Sequence, residues 1–206
     1  MPTRQRILEC AADLFAKNGY TETSIRDLAA AAGLNAASIY NHFPSKNAIL
    51  DCLLEDYAVH SSAVYLSKNI PATLQANPTP DGMMACMSLQ FPEDQLQYYL
   101  AILFVLMQEQ HRNDPIRSFV SENLISRSEN NIFSIVESLK DLGVIRQDTD
   151  ADYWMKVCSS LLYTFASRLM LQIGDSSPGF VGLGMSDMLK RTFAIMLETC
   201  SVREGE

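Results

Sequence analysis

Apolar residues recur at helical spacing from the first turns of the chain. Over residues 4–19, Ile7, Leu8, Ala11, Leu14 and Phe15 share one face, and Gly19 supplies a stop. The next stretch, IRDLAAAAGLNAASIYNHFPSK over residues 25–46, divides into two short pieces around Gly33. Ser24 is placed to cap the first piece, and Asp27 completes a capping box while matching the positive end of the helix dipole. Leu28, Ala32, Leu34 and Ile39 offer apolar contacts across the turn, and Ala29 is small where two helix axes must cross closely. Gly33 is expected at positive φ, where a side chain would be strained. Asn35 is a cap for a second helix over residues 36–42, and Pro44 with Ser45 ends it and begins the next.

From Ser45 onward a stripe of Ile49, Leu50, Leu53, Leu54 and Tyr57 predicts a long helix reaching about Lys68. Residues 69–82, with three prolines, read as a loop or broken helix. Further helices are expected near 83–90, 93–111, 115–142, 150–173 and 185–202, divided by prolines, Gly143, Gly174 and the GFVGLG run at 179–184. Strand-like alternation and internal repeats are not evident. The expected fold is all-α. Residues 1–46 would form a three-helix, helix-turn-helix domain, and residues 47–206 a larger helical domain.

A helix-turn-helix lays its second helix in the major groove of DNA, although an ordinary αα-hairpin has the same outline. The net charge of −8 argues against a DNA binder until it is divided along the chain. Through residue 50, Arg4, Arg6, Lys17, Arg26 and Lys46 outweigh Glu9, Asp13, Glu22 and Asp27 to give +1, leaving −9 for the rest. Phosphate repels such a body, so only the N-terminal end can approach DNA. Residues 36–42 contain no Arg or Lys, so the bidentate arginine–guanine contact is not available from this helix. Asn35, Ser38 and Asn41 can hydrogen-bond to bases or phosphates, and the methyls of Ala36 and Ala37 suit thymine.

The string from Ile7 to Leu50 carries LFAKNGY, TSIRDLA, AGL and IY.HF.SK in succession. Through these motifs the chain resembles the TetR family of bacterial transcriptional regulators. The resemblance covers the first quarter of the chain. It implies that Tyr40, His42 and Lys46 grip the phosphate backbone, and that Thr23 and Ser24 offer hydroxyls and amides for the same purpose. Many relatives carry Lys and Gly where Ala36 and Ala37 stand, so no operator sequence carries over.

The last two predicted helices bear on assembly. Between Tyr153 and Ile173, fourteen of twenty-one residues are apolar and only Lys156 and Arg168 are charged, more than one buried face requires. With Met188, Phe193 and Met196 on the final helix, and Leu161, Phe165 and Leu169 on the one before, a two-fold homodimer is expected; a large monomer core is the other solution. A dimer would set two recognition helices about 34–36 Å apart on a palindromic operator of double-stranded DNA. The family resemblance further implies a small-molecule effector site. Met83, Met87, Tyr98, Phe104, Met107, Phe119, Trp154 and Tyr163 are suitable material for a mostly apolar or aromatic ligand, with Gln108 to orient it. These residue types also fill ordinary cores.

No stretch of about 18 apolar residues is present, and the start MPTRQR leads into an amphipathic helix, so a soluble cytoplasmic protein is expected and no membrane partner. Five scattered cysteines without a CxxC pair argue against a disulfide framework or zinc site and suit core positions. His42, His60 and His111 are too far apart for a local metal pair, and no phosphate loop or nucleophile motif occurs. No catalytic residue, metal or cofactor is therefore assigned. Two other classes stay open: a protein–protein adaptor whose helix-turn-helix does not bind DNA, and an all-helical enzyme.

Overall fold

The computed structural model describes residues 2–66, 69–87, 93–172 and 183–202; the side chains at 61–66, 93, 169–172 and 183–186 lie outside that description. The helices are α1 (Thr3–Asn18), α2 (Ile25–Ala31), α3 (Ala36–Tyr40), α4 (Lys46–Leu66), α5 (Ile70–Ala76), α6 (Pro80–Met87), α7 (Leu96–Glu109), α8 (Asp114–Phe119), α9 (Arg127–Asp141), α10 (Ala151–Gln172) and α11 (Leu183–Cys200). No strand forms among the described residues; one isolated antiparallel bridge joins Ile145 and Ser201. The all-α expectation holds.

The proline-rich segment becomes two short helices for local reasons. Asn69 Oδ1 accepts from the Ala72 N–H at 3.1 Å, and Pro71 sits in the first turn of α5, where its missing N–H leaves nothing unpaired. The continuous helix expected over 115–142 is instead α8, a wide π-helical stretch Val120–Ser126, and α9.

The chain divides into two compact units. The first combines residues 1–62 with 90–120, so α7 and α8 group with the N-terminal motif rather than following the division at residue 46. α7 packs along α1. Ile7, Leu8, Ala11 and Phe15 of α1 and Ile102, Val105, Leu106 and Met107 of α7 are buried, each large side chain contributing about 1.5–3 kcal/mol. Polar groups join the same packing: Gln108 Nε2 donates to Ala16 O at 3.4 Å, and Glu109 Oε1 accepts from the Tyr20 N–H at 3.0 Å. Farther along, Tyr57 meets Tyr99 and Phe119 edge-on, His60 stacks on Tyr99, and the Tyr98 hydroxyl donates to Asp56 at 2.7 Å. Burial first, and then the Asp56 carboxylate, raises the Tyr98 pKa.

The second unit, residues 63–89 and 121–206, is built on a core that includes Leu74, Met83, Met87, Ile132, Ile135, Leu139, Leu189, Phe193 and Met196. α9 packs on α10, and α11 on α6. Asn131 Nδ2 donates to Cys86 O at 3.1 Å inside it, and Lys190 pairs with Asp81 at 2.6 Å on its surface. Two residues expected at a dimer interface are corrected here. Phe193 and Met196 are 1% and 0% exposed, sealed within their own core. Among the described side chains of α11, Met188 and Ile195 are the large apolar residues that are exposed, at 45% and 53%. Leu161 packs partly buried against the core, Phe165 is half-buried, and the Leu169 side chain lies outside the described residues. Cys86, Cys158 and Cys200 are buried as core residues, whereas Cys10 and Cys52 are half-buried; burial pushes the Cys158 thiol up to about 12.

Candidate nucleic-acid interface

α2 and α3 are short, so their ends carry much of their definition. Ser24 Oγ accepts from the Asp27 N–H at 3.2 Å, and the Asp27 carboxylate accepts from the Ser24 N–H at 2.8 Å and its hydroxyl at 2.6 Å. The capping box is complete, and the side-chain hydrogen bond from Ser24, followed by the backbone one, lowers the Asp27 pKa. At the other end Leu34 N donates to Ala29 O at 2.8 Å and Gly33 N to Ala30 O at 3.1 Å, a Schellman closure with Gly33 at φ 62°. Asn35 then caps α3, its Oδ1 accepting from the Ser38 N–H at 2.9 Å and the Ser38 hydroxyl at 3.0 Å.

One face of α3 is an anchor and the other is free. Ile39 is 0% exposed and Phe43, just beyond the helix, is 2% exposed. Tyr40 is 54% exposed, and Asn35, Ala37, Asn41 and His42 are exposed with it, while Ala36 and Ser38 are half-buried. The helix ends at Tyr40 with Asn41 as its C-cap, two residues short of the expected limit. Of the two aromatic residues, Phe43 takes a core position and Tyr40 a surface one.

Two predicted phosphate contacts are placed differently. Thr23 is 1% exposed and its hydroxyl donates to Gly19 O at 2.8 Å, so the hydroxyl closes the turn after α1 and is not presented outward. Lys46 Nζ donates to the carbonyls of Tyr20, Thr21 and Thr23 at 2.8, 3.2 and 2.9 Å and stands 4.4 Å from the centre of the Tyr20 ring. The Tyr20 hydroxyl donates to Asn47 Oδ1, and burial raises its pKa. Ser24 is exposed, with its hydroxyl occupied by Asp27. Arg26, counted only as charge in the sequence, is exposed on α2 and joins none of the ion pairs among the described residues. Its position two residues after the cap Ser24, at the start of α2, is the signal that could have found it. Arg4 instead lies 5.0 Å over the Phe43 ring and donates to Cys52 Sγ at 3.0 Å.

The residues proposed for an effector pocket are divided between the two units. Tyr98, Phe104, Met107, Gln108 and Phe119 belong to the first, and Met83, Met87, Trp154 and Tyr163 to the second. Met83 and Met87 fill the core, Trp154 packs against it, and Tyr163 is exposed. Gln108 is exposed and bonds the end of α1. An open cleft of about 490 Å³ between α5 and α9 is lined by Asn69, Ile70, Pro71, Ser134, Glu137, Ser138 and Asp141, none of them anticipated. Among the described residues no His, Cys, Asp and Glu cluster suits a metal ion, and no helix is long and apolar enough to cross a membrane.

Residues 7–53 match the family described as bacterial regulatory proteins, tetR family. The transcriptional repressor KstR2 of Rhodococcus jostii is 43% identical over 54 residues, covering 26% of this chain and 26% of that protein; the match thus spans about a quarter of the relative's length. The uncharacterized transcriptional regulator YvkB of Bacillus subtilis is 25% identical across 97% of this chain and 98% of its own. The solved ketosteroid transcriptional regulator KstR2 of Mycobacterium tuberculosis shares the fold, with a TM-score of 0.62 and 21% identity over 98% of this chain and 96% of its own. The capped helix-turn-helix thus lies within the segment that matches the tetR family, and the chain as a whole shares the fold of the solved transcriptional regulator it resembles.

Proposed function

We propose that the protein is a DNA-binding transcriptional repressor, acting as a homodimer on a palindromic operator and released by a small, mostly apolar or aromatic molecule. The observation that carries the reading is the two-sided character of α3. Ile39 and Phe43 hold it down while Tyr40, Asn41, His42 and Ala37 stand free along the opposite side. That is the arrangement a recognition helix needs, with a rigid seat and a polar, uncharged reading surface. Tyr40, His42 and Arg26 are assigned to phosphates and Asn41 to bases, with Ala37 against a thymine methyl. The repressor assignment draws on the KstR2 likeness in the head.

Dimerisation is supported by the exposed Met188 and Ile195, one helical stripe on α11 left uncovered by its own core. The effector is the least specified part. Its support is the aromatic group of Tyr57, Tyr98, Tyr99 and Phe119 on α4, α7 and α8, and the printed name of the M. tuberculosis relative, a ketosteroid regulator. Fold alone does not carry a ligand across.

Fluorescence anisotropy on duplexes tiling the gene's own upstream region, with random duplex as competitor, tests the reading. Competitor-resistant binding to one near-palindromic tile supports it. Weak binding equal on every tile overturns it and favours the adaptor.

A further inference from the structure

We propose that Lys46 is a positioning residue of the head and not a phosphate contact: its ammonium locks the turn between α1 and α2. The proposal rests on reading the head as a DNA-binding module, and it reassigns a residue that sequence pattern alone places on the phosphate backbone.

An ammonium has three N–H donors and no others. Those of Lys46 meet three carbonyls of one turn, Tyr20 O at 2.8 Å, Thr21 O at 3.2 Å and Thr23 O at 2.9 Å, while the Tyr20 ring covers a further side at 4.4 Å. The donor set is full. Reaching outward to a phosphate would strip three carbonyls of their partner, around a threonine that is 1% exposed.

The position of Lys46 in its own helix points the same way. It is the first residue of α4, where the helix dipole disfavours a cation. The converging carbonyls of the neighbouring turn supply the negative pole that the helix withholds. That turn is shaped to do so: Gly19 stands at φ 88°, and the Thr23 hydroxyl folds back onto Gly19 O at 2.8 Å. From the other side Glu109 holds the Tyr20 N–H at 3.0 Å. The turn therefore has its carbonyls fastened to α4 and an amide fastened to α7. It leads directly into Ser24, the cap of α2, so the lock sets where α2 begins and hence how α3 is offered to DNA.

The test uses the full chain with Lys46→Met, which keeps length and removes charge, and Lys46→Arg, which keeps charge but cannot bring one nitrogen to three carbonyls. Hydrogen exchange of residues 19–24 is followed in the free protein, and operator affinity is followed against salt. The expected result is faster exchange of that segment in both variants. Affinity should fall by about an order of magnitude with an unchanged salt slope, since no phosphate contact is lost. A slope reduced by about 0.9 per head, about 1.8 for the proposed dimer, in Lys46→Met, with Lys46→Arg binding like the wild type, would overturn the proposal, because that is the mark of one phosphate lost from each head. Unchanged exchange overturns it as well. If the wild type binds no duplex selectively, the functional reading fails, and exchange alone decides the lock. Should Lys46→Met not fold, Lys46→Arg decides by exchange and affinity: faster exchange with weaker binding supports the lock, and wild-type exchange with wild-type binding overturns it.

Discussion

The Glu109 carboxylate accepts a hydrogen bond from the backbone N–H of Tyr20 at 3.0 Å, across 89 residues of sequence. Glu109 is 8% exposed, and a Cβ placed on Gly19 would stand 3.5 Å from the same oxygen. A helix end is thus tied to the turn that precedes α2 and α3, the helices proposed to read DNA. Glu109→Leu leaves the Tyr20 amide without its acceptor and is expected to cost about 1–3 kcal/mol in chemical denaturation. Glu109→Gln keeps an oxygen that can accept and should cost less. Equal losses from the two would show that packing, and not the hydrogen bond, holds the turn.

Two asparagines that flank α3 should separate cleanly. Asn35 is occupied as a cap, so Asn35→Ala should lower stability by about 1 kcal/mol. Asn41 is exposed at the end of the helix, so Asn41→Ala should leave the melting temperature unchanged and alter the ranking of operator variants. Binding measured on a set of single-base operator substitutions decides this; a uniform loss across the set would place Asn41 on the backbone.

The apolar residues of α11 give opposite phenotypes according to the side they face. Phe193→Ala opens the core of the second unit and should cost about 3–5 kcal/mol. Ile195→Asp, at a position 53% exposed, should leave the fold intact and shift the protein from dimer to monomer. Light scattering after size exclusion reads the second outcome. A variant that stays dimeric would remove this stripe from the interface.

The Ser24–Asp27 box has a pH signature. The folded-state pKa of Asp27 lies below its ordinary value, so its contribution is present above the unfolded pKa of about 3.9 and is lost as pH falls through the folded one. Ser24→Ala removes the largest cause of the shift. Carboxyl-carbon NMR titration should therefore find the Asp27 pKa below the ordinary range in the wild type and nearer to it in Ser24→Ala, where the backbone N–H of residue 24 still donates. The variant should also melt at a lower temperature than the wild type above that range.

What could be read from the residues in order was what local chemistry decides. Ser24 with Asp27, Gly33 and Asn35 specify a start, a turn and a second start from within a few residues of one another, and each takes the hydrogen bonds its type predicts. Helical spacing likewise located most elements after Ser45, but it read α5 as a loop or broken helix, started α6 late and did not foresee the π-helical stretch at Val120–Ser126. Side-chain type was a weaker guide to role. Thr23 and Lys46 carry groups suited to phosphate, yet their hydrogen bonds are occupied by the carbonyls of the turn after α1. Phe193 and Met188 are alike in hydrophobicity, and only the packing of α11 on α6 put one in the core and left the other in water. The sequence by itself determined the helices and the capped turn between α2 and α3, because caps and periodicity act over one or two turns of chain. Tertiary structure alone decided which polar groups were already satisfied and which apolar faces remained uncovered, because partners such as Tyr20 and Glu109 meet only after distant helices pack.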